Sequence, residues 1–200
     1  MPGPAGALEV VRDDPGSGPR GVAVIAHPHP LFGGTMDNKV VQTLARAFVA
    51  SGWGAVRFNF RGVGASAGAY DEGRGECDDL LAVVSACAPV GPLALAGFSF
   101  GAFVACEAVA RLQTQRDIAQ LVLVGAATGR FSVPALPADL HSQTLLIHGE
   151  SDDTVPLADV LAWARPQNLP VTLIPGASHF FHGQLPLLRS LVVRHLRPAA

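Results

Sequence analysis

Residues 93–112 read LALAGFSFGAFVACEAVARL, and this stretch is the most informative about the fold. The apolar run Leu93–Ala96 predicts a short buried strand, and the pattern of Ser99–Leu112 predicts a helix. Between them, residues 97–101 (GFSFG) match the pattern G-x-S-x-G. A strand that passes so quickly into a helix needs a strained turn, which the small flanking residues allow. The hydroxyl of Ser99 then projects above the edge of a sheet, so Ser99 is the candidate nucleophile.

Strands and helices alternate on both sides of this stretch. Further strands are predicted at Gly21–Ala26, Ala55–Phe60, Ile118–Gly125, Thr144–His148 and Pro170–Pro175, with a short edge strand at Leu8–Arg12. Further helices are predicted after a cap at Asp37, and at Glu76–Ala88, Leu157–Arg165 and Leu185–Leu196. This alternation indicates an α/β fold, a mostly parallel, doubly wound sheet with helices on both faces. Ligands of such sheets bind at the carboxyl ends of the strands, so the loops that follow the strands should carry the site.

The length of 200 residues favours a single domain over residues 1–200. Hydrophobic residues make up 49% of the chain and charged residues 15%, which suits strands that are buried on both faces. Every apolar run is interrupted before it reaches the roughly 18 residues of a membrane span. The net charge of −2 and the lack of basic runs argue against nucleic-acid and membrane partners. The N-terminus lacks a signal-peptide pattern, so we expect a cytoplasmic protein with reduced cysteines at 77, 87 and 106.

An acidic turn follows the predicted strand at 144–148. A serine nucleophile needs a base, and that base needs an orienting carboxylate from a later strand of the fold. Asp152 is the favoured carboxylate because residues 148–156 (HGESDDTVP) place it in the pattern H-G-x-x-D-x-x-V-P. Asp153 and Glu150 are alternatives, and Asp153 could instead cap the next helix.

A histidine follows the last predicted strand, where the base of such a site is expected. His179 lies in residues 175–183 (PGASHFFHG), directly after small residues. His182 is the alternative, three residues further on. We expect His179 to be the base, because the serine, the aspartate and this histidine then occur in the expected order and loops.

The oxyanion of an acyl-transfer intermediate needs preorganised N–H donors. One expected donor is the backbone N–H of Phe100, the residue after the nucleophile. The second should come from the loop after the first long strand, which begins HPHPLFGG at residue 27. The prolines have no N–H, which leaves His29, Leu31 and Phe32 at the start of the loop. We favour Leu31 and keep His29 as the alternative.

Several aromatic residues lie in the same loops as the candidate catalytic residues. We interpret four of them as walls of a small substrate pocket: Phe32, Phe98, Phe180 and Phe181. A nucleotide site is disfavoured because residues 61–68 (RGVGASAG) do not match G-x-G-x-x-G. The histidines form no H-E-x-x-H pattern or Cys/His cluster, so neither a metal nor another cofactor is expected.

Five segments together resemble one group of compact bacterial α/β-hydrolases, usually described as serine esterases and similar in build to dienelactone hydrolases. They are AHPHPLFGGTMDNKVV (26–41), RFNFRGVGASAG (57–68), GFSFGA (97–102), HGESDDTVP (148–156) and GASHFFHG (176–183). The resemblance implies the α/β-hydrolase fold, with Ser99, Asp152 and His179 as a catalytic triad. It also favours Leu31 as the oxyanion donor. Dienelactone hydrolases have a cysteine as nucleophile, whereas this chain has Ser99.

The expected function is therefore hydrolysis of short-chain carboxylic esters through an acyl-enzyme. Only the stretch 132–137 (SVPALP) follows the strand after which relatives often insert a lid, so no lid domain is expected. Thioesterase, lactonase or peptidase activity with the same triad is the alternative within enzymes. A catalytically silent binding protein of this fold is the alternative outside them. The expected partner is a small ester substrate, and an exposed edge strand would permit a homodimer.

Overall fold

The computed structural model describes residues 1–197. An N-terminal hairpin pairs β1 (Pro2–Gly3) with β2 (Gly6–Ala7). The main sheet contains β3 (Val10–Asp13), β4 (Val22–Ala26), β5 (Gly54–Phe58), β6 (Leu93–Phe98), β7 (Ile118–Val124), β8 (Thr144–Gly149) and β9 (Val171–Ile174). The α-helices are α1 (Lys39–Ala50), α2 (Arg74–Cys87), α3 (Phe100–Leu112), α4 (Leu157–Ala164) and α5 (Leu185–His195).

The main sheet has seven strands in the order β3-β5-β4-β6-β7-β8-β9. Edge strand β3 runs antiparallel to β5, and the other neighbouring strands are parallel. The expected α/β-hydrolase sheet, mostly parallel and doubly wound, is therefore confirmed. The central strands β4 and β6 are apolar throughout, because helices cover both faces of the sheet there.

Alternate residues of the strands face two separate apolar cores. On one face, residues such as Val24 and Leu95 pack against α2, α3 and α4. On the other face, residues such as Ile25 and Ala96 pack against α1 and α5. This period of two follows from the pleat of a strand, which points successive side chains to opposite faces.

The order of the strands reverses at β4. The chain passes from β4 through α1 to β5 on one side, and then through α2 to β6 on the other side of β4. The loops that follow β4 and β6 therefore separate above the carboxyl edge of the sheet and leave a crevice between them. This reversal brings the loop 27–38 and Ser99 to the same crevice.

One helix cap differs from the expectation. Helix α1 is capped by Asn38, whose Oδ1 accepts a 2.8 Å hydrogen bond from the N–H of Val40. The expected cap, Asp37, instead accepts a hydrogen bond of 3.2 Å from Arg57 of β5. Both residue types cap helices well, so their order in the sequence could not decide between them.

The connection between β7 and β8 carries no lid domain. It is a loop followed by a short 3-10 turn at Ala138–Gln143. No helix within residues 1–197 is both long enough and apolar enough to cross a membrane.

Candidate active site

Ser99 occupies a strained turn between β6 and α3. Its φ of 57° and ψ of −116° lie in a region that L-residues rarely adopt. A Cβ on Gly97 would collide with the carbonyl of Gly101, and a Cβ on Gly101 would collide with the carbonyl of Ala26. The two glycines of the G-x-S-x-G pattern are therefore required by the close approach of strand, turn and helix. The hydroxyl of Ser99 sits at the start of α3, whose dipole favours negative charge there.

Asp152 and His179 lie together, although 27 residues separate them in the chain. The Nδ1 of His179 is 2.7 Å from Oδ2 of Asp152. The other carboxylate oxygen, Oδ1, accepts hydrogen bonds from the N–H groups of Val155 (2.8 Å) and Thr154 (3.0 Å). An ionised carboxylate only accepts, so Nδ1 of His179 carries the hydrogen and Nε2 is left free as a base.

The carboxylate of Asp152 stays ionised although it is buried. Burial by itself raises the pKa of Asp152, because it disfavours the charged form. The hydrogen bond with His179, those from Val155 and Thr154, and the attraction to His179 act in the opposite direction. Together they lower the pKa of Asp152 below its ordinary value, so a negative charge faces His179 at neutral pH.

Ser99 and His179 line the same cavity. No hydrogen bond joins the two side chains among the contacts of residues 1–197, and such bonds often tighten only when substrate binds. The ring of Phe98 packs 4.8 Å from the ring of His179, centroid to centroid. Gly125 lies against the same imidazole, where an added Cβ would be 3.3 Å from Cε1. These two contacts restrict the orientation of the imidazole ring of His179.

The alternative acids and the alternative base lie elsewhere. Asp153 is exposed and accepts only a 3.3 Å hydrogen bond from the hydroxyl of Thr154. Glu150 is exposed and accepts a hydrogen bond from the N–H of Gly176. His182 is also exposed. Of the carboxylates and histidines in these two loops, the structure brings together Asp152 and His179.

Two fully buried histidines hold the backbone of the site loops through hydrogen bonds, a role that the sequence analysis did not predict. Nδ1 of His27 donates to the carbonyl of Pro28 at 2.6 Å, and its Nε2 accepts from the N–H of Phe60 at 3.0 Å. Nε2 of His148 donates to the carbonyl of Val155 at 3.0 Å. Burial lowers the pKa of His27 to about 4 and lowers that of His148 as well, so both are neutral at pH 7. Within residues 1–197, no three His, Cys, Asp or Glu side chains are grouped to hold a metal ion.

The expected oxyanion donor Leu31 is not supported by the structure. Its N–H points to Nδ1 of His29 at 3.2 Å, and its side chain is 66% exposed, outside the cavity. The 3-10 turn at Pro30–Phe32 causes this, because it turns the Leu31 donor back onto the preceding side chain. His29 lines the cavity, and its N–H meets no acceptor among residues 1–197. The geometry thus favours the alternative donor, His29, beside the N–H of Phe100 in the first turn of α3.

The cavity has a volume of about 270 Å³ and aromatic walls. Phe32 and Phe180 line it, as expected. Phe98 and Phe181 do not, because both are fully buried in the core beneath α1 and α5. The period of two along β6 could have predicted the burial of Phe98, because it places this side chain on the same face of the sheet as Ala96. Sequence reasoning missed Phe131, which lines the cavity from the loop after β7.

Residues 18–143 match the family described as serine aminopeptidase, S33. The chain belongs to this family of hydrolases. Two solved structures of similar sequence are α/β serine hydrolases from bacteria. One is a serine hydrolase homologue from Coxiella burnetii, with 42% identity, a TM-score of 0.85, and coverage of 98% of this chain and 95% of that one.

The other structure, from Xanthomonas campestris, is described as an α/β serine hydrolase without a lid. It has 40% identity and a TM-score of 0.87, and the match covers 99% of this S33-family chain and 93% of that chain. An uncharacterized protein of Rickettsia prowazekii is 40% identical over 113 residues. The S33-family chain spans about half the length of that curated relative. The expected membership among compact, lid-free bacterial-type serine hydrolases is confirmed.

Proposed function

We propose that this S33-family hydrolase is a carboxylesterase that cleaves small, short-chain esters with Ser99, His179 and Asp152. One observation carries the proposal. The buried hydrogen bond between Asp152 and His179 borders the cavity into which the strained turn presents Ser99. A hydroxyl, a free imidazole nitrogen and an orienting carboxylate are the groups that acyl transfer to serine requires.

The reaction then proceeds in two halves. Nε2 of His179 takes the proton of Ser99 as Oγ attacks the ester carbonyl, and the N–H groups of Phe100 and His29 hold the resulting oxyanion. The tetrahedral intermediate collapses, the bond to the alkoxide breaks, and His179 gives its proton to the leaving alcohol. A water molecule, deprotonated by His179, then attacks the acyl-enzyme. The bond between the acyl carbon and Oγ of Ser99 breaks, His179 returns the proton to Oγ, and the acid is released. Asp152 stabilises the imidazolium formed in each half.

A peptidase is the second candidate, because the family description names an aminopeptidase. An aminopeptidase must hold the ammonium group of a peptide N-terminus, and a carboxylate is the usual partner of such a cation. Within residues 1–197, the side chains that line the cavity include no carboxylate. Asp153 and Asp159 lie instead in a neighbouring depression. The aromatic and aliphatic lining favours a small ester over a peptide.

A fluorophosphonate probe tests the proposal, together with a panel of ester, thioester, lactone and amide substrates. We expect the wild type to be labelled and to hydrolyse acetate and butyrate esters faster than the thioesters, lactones and amides of the panel. The variant Ser99→Ala should lose both the label and the activity, while Ser178→Ala in the histidine loop should keep both. A wild type that is neither labelled nor active would indicate a binding protein, and faster cleavage of the amides would indicate a peptidase.

A further inference from the structure

We infer that Arg130 binds a carboxylate on the acyl part of the substrate, so that the preferred substrates are half-esters of short dicarboxylic acids. The inference rests on the proposed esterase activity and adds the substrate class. It starts from the charge of the cavity wall. Among the residues that line the cavity, Arg130 is the one with a permanent charge. The rest are histidines, aromatic residues and other uncharged residues.

The guanidinium of Arg130 has no partner of its own. Arg130 is exposed, and it forms neither an ion pair nor a hydrogen bond with any side chain or carbonyl of residues 1–197. Other arginines of this chain are held in place, such as Arg61 by Asp79 and Arg57 by Asp13 and Asp37. Five N–H donors at the mouth of the cavity are therefore available to a ligand.

The charge of Arg130 reaches into the cavity. The pKa of His29 is lowered, first by burial and then by the positive charge of Arg130. His29 lines the same cavity as Arg130, and its N–H is the second proposed oxyanion donor. Because Arg130 and His29 line the same cavity, a ligand bound there meets the same positive charge.

Phe131 anchors the backbone next to this guanidinium. Its ring stacks on Phe103 with centroids 4.6 Å apart and planes 9° apart, and it meets Phe100 edge to face at 5.3 Å. Phe103 and Phe100 belong to helix α3 and are buried. Arg130 is thus the neighbour in the chain of a well-packed residue of the cavity wall. This packing limits the positions that the guanidinium can reach.

The acidic neighbours of Arg130 leave its donors free. Asp153 and Asp159 line a separate depression that Arg130 also borders. Neither carboxylate lies within 4.0 Å of the guanidinium, since no ion pair joins either of them to Arg130 among residues 1–197. They weaken the positive potential outside the cavity and do not occupy the position of a ligand carboxylate.

The chemistry of the site places this carboxylate on the acyl side. The leaving oxygen must face Nε2 of His179, so the alcohol lies beside Phe180, the next residue in that loop. On this assignment the acyl group lies along Phe100 and Phe131 towards Arg130, all of which line the cavity. A guanidinium binds a carboxylate through two parallel hydrogen bonds, which a lysine does not reproduce.

Two esters of similar length test the inference: monomethyl glutarate, which is an anion, and methyl pentanoate, which is neutral. Hydrolysis is followed by titration of the released acid for the wild type, Arg130→Gln, Arg130→Lys and the control Arg165→Gln, which removes an exposed charge outside the cavity. We expect Arg130→Gln to lower kcat/KM for monomethyl glutarate by about tenfold or more, mainly through KM. Its kcat/KM for methyl pentanoate should stay within about twofold, because a neutral acyl chain makes no ion pair.

The conservative variant and salt give two further measurements. Arg130→Lys should recover part of the loss, and added KCl should raise KM for monomethyl glutarate alone, since salt screens an exposed ion pair. Equal losses on both esters, or unchanged kinetics of Arg130→Gln on monomethyl glutarate, would overturn the inference. If the proposed esterase activity itself is wrong, the wild type will hydrolyse neither ester, and this result distinguishes that failure from a failure of the inference about Arg130.

Discussion

Ser99 holds a backbone conformation that costs on the order of 1–3 kcal/mol, and its neighbours stabilise it. Its N–H donates to the carbonyl of Val124 in β7 at 2.8 Å, and its carbonyl accepts from the N–H of Ala102 in α3 at 3.0 Å. The turn is therefore bonded both to the neighbouring strand β7 and to helix α3, which follows it. Strain maintained in this way positions the proposed nucleophile before substrate arrives.

The two adjacent aspartates of the acid loop should differ in effect. Asp152→Asn should lower kcat/KM by about 10⁴-fold, because an amide cannot hold His179 with its hydrogen on Nδ1. Asp153→Asn should change kcat/KM by less than about twofold, because that side chain is exposed. Steady-state kinetics on a short ester measures both variants, and unfolding midpoints check that each is folded. A large loss in Asp153→Asn alone would reverse the assignment of the acid.

His148 positions Asp152 through Val155. Its Nε2 donates to the carbonyl of Val155, whose N–H in turn donates to Asp152. His148→Phe removes this donor and should lower kcat by about tenfold or more with little change in KM, because a shifted acid misaligns the base. His148→Gln keeps an N–H donor and should retain more of kcat. Equal kcat values for His148→Phe and the wild type would exclude this role.

At the scale of elements, the loop after β5 is joined to α2 by an ion pair. The backbone N–H and Nε of Arg61 each donate to Oδ2 of Asp79 at 3.0 Å, and a terminal nitrogen of the guanidinium donates to Oδ1 at 2.8 Å. The side chain of Asp79 is fully buried, and that of Arg61 is 12% exposed. This contact fixes the loop that follows β5, which lies at the carboxyl edge of the sheet. Strand β5 is the neighbour of β4.

Removal of this buried carboxylate should destabilise the fold strongly. Asp79→Ala leaves the guanidinium of Arg61 without its partner, so we expect the free energy of unfolding to fall by about 3–5 kcal/mol. The matched variant Asp71→Ala breaks the exposed pair with Arg74 and should cost less than about 1 kcal/mol. Urea denaturation at neutral pH compares the two variants. Similar losses of unfolding free energy in the two variants would mean that the burial of the Arg61–Asp79 pair adds nothing to stability.

At the scale of the whole molecule, the topology assembles the site from five loops. They follow β4, β6, β7, β8 and β9, whose carboxyl ends lie at one edge of the sheet because these strands are parallel. The connection between β7 and β8 closes one side of the cavity with Phe131 but does not cover it. The cavity is consequently open to small dissolved substrates.

Stability of the whole molecule should decrease on acidification from about pH 6.5 to about pH 4. The pKa of His27 is lowered to about 4 by burial, so the folded state keeps it neutral while the unfolded chain binds a proton below about 6.5. Unfolded chains then bind more protons, and the free energy of unfolding should fall by about 3 kcal/mol from His27 alone. The pKa values of His148 and His195 are also lowered by burial, which acts in the same direction.

Urea midpoints measured across this pH range check the prediction. His27→Asn should flatten the dependence on pH between about 4 and 6.5, since it removes the titrating group. His182→Gln replaces an exposed histidine and should leave the slope unchanged. A wild type whose stability is constant over this range would contradict the buried, neutral state of His27.

The absence of a lid domain predicts a preference for soluble substrates. Without a lid to open, activity should not increase when a substrate passes from solution to an emulsion. Acetate and butyrate esters should give higher kcat/KM than long-chain esters, because the cavity of about 270 Å³ holds only a short acyl chain. Rates measured across the solubility limit of one ester provide the test, and a jump at that limit would refute it.

Local patterns in the sequence were sufficient for the fold and for the order of the candidate residues. The G-x-S-x-G turn, the apolar strands and the period of the helices depend on neighbours in the chain, and the structure confirms the parallel sheet that they predict. The same reasoning placed Ser99, Asp152 and His179 in loops at one edge. It could do so because parallel strands bring their carboxyl ends together whatever the details of packing.

Which atoms point into the cavity depends on contacts that form only in the folded chain. The direction of an N–H or a side chain depends on turns and contacts between distant segments, which the sequence does not display. A 3-10 turn directs the N–H of Leu31 away from the cavity and leaves that of His29 free. Packing against α3 brings Phe131 to the wall, whereas Phe181 is buried in the opposite core. Distance along the chain carries no information about these directions, because they are set by neighbours that folding alone brings into contact.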